Sequence, residues 1–392
     1  MVMPECNRLK IAFVYDAVYP YVKGGVERRV FELAVRLVKR GHEVHIFGMK
    51  YWDGDDILIR DSVILHGVCP AEPFYANGRR TLREAIRFSI RLLPYLARDR
   101  FAIIDCQQFP YLSCFSVKVI AVIQRTPLVI TWHEFWGDYW YHYLGISGIF
   151  GKGIERLVSR LSHYQVAVSG TTSDALTRIR DCFPVTIIPN GIDSGRIARD
   201  HTAQEKTDII FVGRLIREKH TDLLIRAFAL ISPEQPTLVL RIIGEGPESE
   251  SLDLLIRDLG LNDRVFIHRF ETEYDALIAR IKAARIFVLP STREGFGIAA
   301  LEALACGLPV VTVDHPANAI RNLVTEKTGF LCALSAEDLA MAMKKALVRH
   351  EAMREDCIAA SRMFEWDRIT LQCENYYQSV VAGTDAMSRE SD

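Results

Sequence analysis

The run Pro290-Ser291-Thr292-Arg293-Glu294-Gly295-Phe296-Gly297-Ile298-Ala299-Ala300-Leu301-Glu302-Ala303-Leu304-Ala305-Cys306-Gly307-Leu308-Pro309-Val310-Val311 lies between two apolar runs, Ile286–Leu289 and Pro309–Val313. A buried-looking strand, a glycine-rich turn, a helix-length segment and a second strand form one parallel-sheet crossover. The turn also carries chemistry. Gly295 and Gly297 leave backbone N–H groups open beside Glu294, and Glu302 follows eight positions later, about two helical turns on if one helix covers both. Two carboxylates near one turn can accept hydrogen bonds from sugar hydroxyls. A buried, structural Glu302 would explain only one of them.

The same alternation extends outward in both directions. Toward the N-terminus of this half come the runs Ile209–Val212, Val239–Ile243 and Val265–Ile267; the first half of the chain holds Ile11–Tyr15, Val44–Phe47, Ala102–Ile104, Leu128–Thr131 and Gln165–Val168. Each set supplies about one Rossmann-like sheet. Between them, Thr186-Ile187-Ile188-Pro189-Asn190-Gly191-Ile192-Asp193 and the polar stretch to Asp208 lose hydrophobic periodicity, as a turn and linker would. The expected division is residues 1–190 as one domain, 205–365 as the other, and a final helix at about 366–385 returning to the first.

Composition agrees with two ordinary globular domains. The 392 residues are 49% hydrophobic and 25% charged, with no low-complexity segment, and are two to three times the length of one domain. The net charge of -1 argues against a dedicated nucleic-acid binder. It conceals a split: up to Asn190 there are 24 Lys+Arg against 18 Asp+Glu, and beyond it 24 against 31. The nine cysteines are scattered without a C-x-x-C pair, so neither a disulfide framework nor a zinc site is expected. No apolar run reaches the roughly 18 residues of a membrane span, and the polar start leads straight into a strand. The expected location is cytoplasmic.

Two other turns suit an anion. After the first strand, Gly24-Gly25 open a helix whose free N–H groups and dipole favour phosphate, although the G-x-G-x-x-G of a dinucleotide site is missing. The alternative is a tight turn with no ligand. After Ile209–Val212, the segment Gly213-Arg214-Leu215-Ile216-Arg217-Glu218-Lys219-His220-Thr221 sets Arg214 and Lys219 before a helix for which Thr221 is the expected N-cap. Such cations can hold a diphosphate without a metal, unless Glu218 and Asp222 neutralise them.

Gly24-Gly25, Pro189-Asn190-Gly191-Ile192-Asp193, Gly213-Arg214-Leu215 with Glu218-Lys219, Gly244-Glu245-Gly246-Pro247, and Glu294-Gly295-Phe296-Gly297 with Glu302 stand in the order seen in family 4 retaining glycosyltransferases, which the chain resembles over nearly its whole length. The resemblance implies an α/β fold of GT-B architecture, two Rossmann-like domains facing across a cleft, with a nucleotide-sugar donor held mainly by the second. It implies Arg214 and Lys219 on the donor diphosphate, Glu302 on the ribose and Glu294 on the donor sugar. Gly213, Gly244, Phe270 and the backbone of Gly295, Phe296, Gly297 and Ile298 would complete the donor site, and Gly24 and Gly25 would close on it. His133, in Thr131-Trp132-His133-Glu134, matches the family's active-site histidine; by itself, a histidine after a strand is more often structural. The chain departs from the pattern at His268-Arg269-Phe270, where glycine often precedes the phenylalanine, and at Asp314–Ile320, where a glycine-rich loop is usual.

The expected reaction is transfer of a hexosyl-type group from a nucleotide-diphosphate sugar to an acceptor hydroxyl with retention, needing no metal and no cofactor. Arg214, Lys219 and helix N-termini would stabilise the leaving phosphate. The two-carboxylate scheme of retaining glycosidases does not map, because Glu294 and Glu302 are assigned to donor hydroxyls. Asp53-Gly54-Asp55 reads as a solvated turn rather than a metal motif, and Gly148–Gly153 fails the P-loop spacing.

On the acceptor side, Asp16, Trp132 and Trp136 are the candidates, within a crowd of aromatics around His133 that suits a sugar or a lipid chain. Between residues 80 and 98, Arg80, Arg83, Arg87, Arg91 and Arg98 fall within about 80° on a helical wheel, with Leu82, Ile86, Leu93 and Leu96 opposite and Pro94 as a kink or stop. Such a helix could rest on an anionic membrane, with a glycan or lipid-linked acceptor, or could bury its apolar face in the core. The competing functions are a GT-B nucleotide-sugar epimerase and a non-catalytic sugar-nucleotide binding module. A dehydrogenase lacks its fingerprint.

Overall fold

The computed structural model describes residues 8–72, 74–76, 79–179, 184–199, 201–271 and 273–389. Cys6, Cys182 and the Arg80 side chain lie outside the described residues. The chain forms two compact units, one running to Asn190 and taken up again at Trp366, the other Gly191–Glu365.

In the first unit the strands are β1 (Lys10–Val14), β2 (Glu43–Lys50), β3 (Ile57–Arg60), β4 (Val63–Pro70), β5 (Tyr75–Ala76), β6 (Arg79–Arg80), β7 (Ile103–Gln107), β8 (Leu128–Trp132), β9 (Tyr164–Ala167) and β10 (Val185–Ile187). Its helices are α1 (Gly25–Lys39), α2 (Leu82–Leu96), α3 (Leu112–Gln124), α4 (Tyr139–Leu144), α5 (Gly148–Val158) and α6 (Gly170–Thr177). Eight strands make one sheet in the order β10-β9-β8-β7-β1-β2-β4-β3, parallel except where β3 returns against β4. The order reverses at β1, between β2 on one side and β7 on the other.

Alternate residues of each strand serve opposite faces of the sheet. Ala12 and Val14 of β1 join a core with Phe88 and Leu92 of α2 and with Val117 and Ala121 of α3. Trp140 of α4 and Val158 of α5 belong to the same layer. Ile11 and Phe13 face the other way, into a core with Val30, Leu33 and Leu37 of α1. Val30, Leu33, Ala34 and Leu37 recur at i, i+3, i+4 and i+7, the spacing that gives α1 one buried stripe.

The second unit holds α7 (Ser194–Arg199), β11 (Ile209–Val212), α8 (Thr221–Ile231), β12 (Leu240–Ile243), α9 (Ser249–Asp258), β13 (Val265–His268), α10 (Tyr274–Lys282), β14 (Ile286–Leu289), α11 (Ile298–Ala305), β15 (Val310–Val313), β16 (Gly329–Cys332) and α12 (Ala336–Ser361). Its six strands run parallel in the order β13-β12-β11-β14-β15-β16. Counted within the unit this is the doubly wound arrangement, with its switch between β11 and β14. Ser335 caps α12 by accepting from the Asp338 N–H at 3.0 Å. The last helix, α13 (Trp366–Arg389), belongs to the first unit: Trp366, Ile369, Cys373, Tyr377 and Val380 join the core beneath α1. The buried Glu374 carboxylate meets His42 at 2.9 Å and pairs with Arg40.

Four sequence expectations change. Strands β3, β4, β5, β6, β10 and β16 were not expected; β5, β6 and β10 are two or three residues long, and glycine interrupts β4 and opens β16. Residues 191–199 are part of the second unit and not a linker. The Ile192 N–H donates to the Phe364 carbonyl at 2.8 Å, Ile197 is buried, and Arg196 pairs with Asp275 at 2.6 Å, so the second unit begins at Gly191 rather than 205. Helix α13 extends beyond 385, with Pro94 lying inside α2 near its end. Finally, α2 buries only part of the face assigned to it: Leu96 is in the core and Leu93 packs half-buried against it, whereas Leu82 and Ile86 are exposed, and Ala85, Phe88 and Leu92 complete the buried side.

Candidate functional site

In a doubly wound sheet, ligands bind beyond the carboxyl ends of the strands where the strand order reverses, because the loops there diverge and leave a crevice. In the second unit those loops follow β11 and β14. They carry Arg214, Lys219 and Glu294.

Hydrogen bonds tie the two loops together. The Thr292 N–H and Ser291 hydroxyl both donate to the Glu218 carbonyl at 3.0 Å, and Thr292 Oγ1 lies 3.0 Å from the His220 ring. His220, at φ 49°, is the residue that caps α8; Thr221, expected there, is the first helical residue and is buried. Burial lowers the His220 pKa from the ordinary histidine value. These ties place the largely buried Lys219 ammonium against the Glu294 carboxylate, with which it forms an ion pair. Arg214 is exposed one residue after Gly213.

Glu294 is held on its other side by loop 314–320. Its N–H donates to the Ala317 carbonyl at 3.0 Å, and its carbonyl accepts from the Ala319 N–H at 2.9 Å. The fully buried Asn318 anchors that loop through Thr312 Oγ1 and the Val313 carbonyl, each at 2.9 Å. Gly297 caps α11 at φ 89°, where a Cβ would meet Ile320 at 2.3 Å, so the close approach of the two loops requires glycine. No side chain caps α11, leaving first-turn N–H groups available to an anion.

The helix does not cover both carboxylates: Glu294 precedes α11, and Glu302 is buried within it. Phe296 is also buried, its ring 5.8 Å from that of Phe364, so its side chain packs in the protein. Gly244 lies where a Cβ would meet the Gly213 carbonyl oxygen at 1.9 Å, allowing the loops after β11 and β12 to touch. Phe270, beyond β13, is exposed.

The first unit has its own constellation at the matching end of its sheet. Gly24 precedes α1 without a side-chain cap, and a Cβ there would meet the Glu27 carboxylate at 2.6 Å. That acid already complements the positive helix end. Asp16 is buried just past β1. His133, just past β8, is partly buried; its Nε2 lies 2.7 Å from Gln107 Oε1, and its N–H donates to Gln108 Oε1 at 3.0 Å. Gln107 in turn donates through Nε2 to Asp105 Oδ1 at 3.0 Å. Asp105 also accepts from the Thr131 hydroxyl at 2.7 Å and from the Tyr377 hydroxyl of α13.

This chain of bonds sets the state of His133. With the Gln107 amide N–H committed to a carboxylate, its carbonyl oxygen faces the imidazole, so Nε2 carries the proton and Nδ1 the lone pair. Burial, with the Arg29 guanidinium nearby, holds the imidazole well below the usual histidine range, and the ring is neutral.

The aromatic loop beyond His133 is fixed by Glu155 of α5. Its buried carboxylate accepts from the Trp136 and Gly137 N–H groups at 2.8 Å each and from the Tyr111 hydroxyl at 2.9 Å. Trp136 is half-buried among Phe109, Tyr139, Trp140 and Tyr143. Trp132 is a correction: it is fully buried and donates to Gln165 Oε1 at 2.5 Å, which makes it a core residue and not an acceptor contact. Asp53-Gly54-Asp55 forms an exposed turn after β2, with Gly54 at φ 87°. Glycines 148 and 151 lie against Trp140, where α4 and α5 touch.

Sequence reading missed Asp105, Gln107, Tyr377, Glu155 and Asn318. For Asp105, Gln107 and Glu155 the one signal was a polar residue in a strand or inside a helix, whereas Asn318 lies in loop 314–320 and Tyr377 on α13.

Two family models now bear on this arrangement. Glycosyltransferase Family 4 matches residues 23–196, and Glycosyl transferases group 1 matches residues 194–364. The chain belongs to these group 1, family 4 glycosyltransferases. It is 25% identical over 390 residues to the alpha-monoglucosyldiacylglycerol synthase of Streptococcus pneumoniae, covering 95% of this chain and 84% of that protein. Among solved structures, the sucrose-phosphate synthase of Thermosynechococcus elongatus superposes with a TM-score of 0.81 at 22% identity, covering 96% of this chain and all of the other. HepE of Anabaena in complex with UDP-glucose gives 0.73 at 18%, covering 95% of this chain and all of the other. The fold is that of the GT-B glycosyltransferases, with two units of parallel α/β structure.

Proposed function

We propose that this glycosyltransferase is a retaining, metal- and cofactor-independent enzyme that moves a hexosyl-type group from a nucleotide-diphosphate sugar to an acceptor hydroxyl. The observation that carries the reading is the Lys219–Glu294 pair at the switch between β11 and β14, beside the uncapped start of α11. A diphosphate supplies the anion that Lys219, Arg214 and the free N–H groups would hold, and a sugar supplies the hydroxyls that Glu294 would bind once released from Lys219. Glu302 is assigned to the ribose. The relative HepE, solved with UDP-glucose, supports a nucleotide-sugar donor.

In this proposal, negative charge growing on the departing diphosphate is stabilised by Lys219, Arg214 and the α11 N-terminus. The acceptor hydroxyl attacks the same face of the sugar, its proton passing to the leaving phosphate. The first unit, with His133, Asp16 and Trp136, serves the acceptor side, and neutral His133 is a hydrogen-bonding partner rather than a cation. The glycolipid named in the S. pneumoniae relative supports a lipid-linked acceptor for glycan or glycolipid assembly, at the cytoplasmic face of a membrane.

The test is incubation with UDP-, GDP- and ADP-sugars, with and without lipid and glycan acceptor extracts, in chelator. Product that forms only with an acceptor, with its anomeric configuration retained by NMR, supports the reading. Epimerised donor without transfer, or donor binding without turnover, would overturn it.

A further inference from the structure

A second group of aromatic side chains stands at the carboxyl end of the first unit's sheet, on the loops that follow β1 and β2 rather than on the loop that carries His133. The two loops are locked together. Gly48 of β2 lies where a Cβ would meet Val18 Cγ2 at 2.3 Å, so the loop after β1 can rest directly on that strand. The Asp16 carbonyl accepts from the Met49 N–H at 3.0 Å and from the Tyr51 hydroxyl at 3.4 Å. The Val22 N–H donates to the Val18 carbonyl at 3.0 Å, and the Tyr19 ring centroid lies 5.2 Å from that of Phe31 on α1.

This frame presents three rings. Tyr21, 39% exposed, runs nearly parallel to Tyr51, with 11° between the planes and 6.1 Å between centroids, and Trp52 follows at 5.9 Å and 35°. At that separation parallel rings are offset rather than superposed, so each leaves part of its face uncovered. Tyr51 and Trp52 are half-buried, and Phe74 backs Tyr51 at 6.4 Å. The Trp52 indole is fixed by its Nε1–H, which donates to the Asp55 carbonyl at 2.8 Å. Lys50 holds the turn between them, bonding the Gly54 carbonyl and pairing with Asp56 at 3.1 Å. The Asp53 and Asp55 side chains are left exposed, and among the described residues neither pairs with a cation.

Ring faces held in place, with free carboxylates at their edge, match the chemistry of a pyranose: its C–H face packs on an aromatic ring, and its hydroxyls donate to the acids. A lipid chain gains nothing from the acids, because a carboxylate beside hydrocarbon loses water without gaining a hydrogen bond. A phosphate is opposed by them, since Asp53, Asp55 and Asp56 outnumber the one cation among them, Lys50.

We propose that Tyr21, Tyr51 and Trp52, with Asp53 and Asp55, form a saccharide subsite that holds a sugar ring of a glycan-bearing acceptor. The subsite rests on the acceptor role proposed for the first unit, and the Tyr51 bond to Asp16 joins it to a residue of that side.

The full chain, without donor, is titrated with maltotriose, cellotriose, chitotriose and mannotriose, and saturation-transfer NMR is recorded with irradiation of the protein's aromatic protons. Transfer to the ring C–H protons of at least one of the four is expected. Tyr21→Ala and, separately, Trp52→Ala should weaken that binding about tenfold. Tyr21→Phe, which keeps the ring face, should stay within about twofold, and Asp53→Asn with Asp55→Asn should weaken binding about fivefold. The Tyr21 side chain is exposed, so the Tm of Tyr21→Ala should not move, which separates a lost contact from a lost fold. No saturation transfer to any of the four sugars, or wild-type binding by Tyr21→Ala and Trp52→Ala, overturns the proposal. So does a Tyr21→Ala defect that appears with uridine diphosphate in place of the sugars. Saccharide binding that needs Tyr21 in a protein that performs no transfer would sink the transferase reading and leave the subsite standing; transfer that is indifferent to Tyr21→Ala and Trp52→Ala would do the reverse.

Discussion

The hydrogen-bond chain from Tyr377 through Asp105 and Gln107 to His133 makes a prediction that a packing role alone would not. Gln107→Leu keeps the side chain's approximate volume but removes both its donor to Asp105 and its acceptor from His133. A buried group left one hydrogen bond short costs about 1–3 kcal/mol, and two are left short here, so stability should fall by roughly 2–6 kcal/mol. The imidazole also loses what fixes its proton on Nε2. If Nδ1 must accept from a substrate hydroxyl, loss of that orientation should lower kcat about tenfold, the equivalent of ~1.4 kcal/mol, with donor KM little changed. Nitrogen-15 NMR of the histidine ring reads the tautomer directly, and steady-state kinetics below the unfolding temperature reads kcat. Gln107→Glu should instead place a carboxylate against Nε2, raise the His133 pKa and move the acidic limb of the pH profile upward. A wild-type ring protonated on Nδ1, or a Gln107→Leu enzyme with unchanged tautomer and kcat, would refute the reasoning.

Three further outcomes follow from named contacts. Lys219→Ala should weaken donor binding about 10- to 100-fold, as expected for loss of a charge-assisted bond to phosphate, whereas Lys219→Arg should recover part of it; titration calorimetry with nucleoside diphosphate measures both. Glu155→Ala strands the Trp136 and Gly137 N–H groups and the Tyr111 hydroxyl. A loss of about 3–5 kcal/mol in urea unfolding is expected, with quenching of the loop tryptophan signal. His66 stacks on Phe47 at 4.3 Å and hydrogen-bonds His45 at 2.8 Å, and burial lowers its pKa to about 4. A depressed histidine pKa means that the unfolded chain binds the extra proton, so the contribution is full above about pH 6.5 and is lost as pH falls toward 4. It amounts to roughly 3 kcal/mol, and His66→Gln should flatten the slope of stability against pH across that window.

The strand runs around Pro290–Val311 and the two opening turns were readable because they obey local rules. A parallel strand buried on both faces must be a near-continuous apolar run, and a loop that approaches another backbone must carry glycine. Glu294, Lys219 and the glycines between them therefore stood out in order. Helix α2 was misread for a related reason. A helical wheel finds the apolar residues but cannot tell which apolar stripe meets the sheet, and here there are two. One joins the core through Phe88 and Leu92; the other, through Leu82, Ile86 and Ile90, does not. Trp132 looked like an acceptor contact because it neighbours His133, yet successive residues at a strand end point to opposite sides, which puts it in the core.

Periodicity, glycine placement and the order of short motifs were enough to establish two parallel α/β units, the boundary near Asn190 and the family, since each depends on residues close together in the chain. The long-range pairings were not. Lys219 meets Glu294 across 75 positions, and Tyr377 reaches Asp105 across 272, because the crossover connections and the return of α13 bring distant strand ends together. A buried carboxylate or amide has no local pattern of its own; its partners exist only once the sheets are assembled. Glu84 and Glu155 are the same case: nothing in their sequence neighbourhood marks either as buried until α2 and α5 pack into the first unit's core.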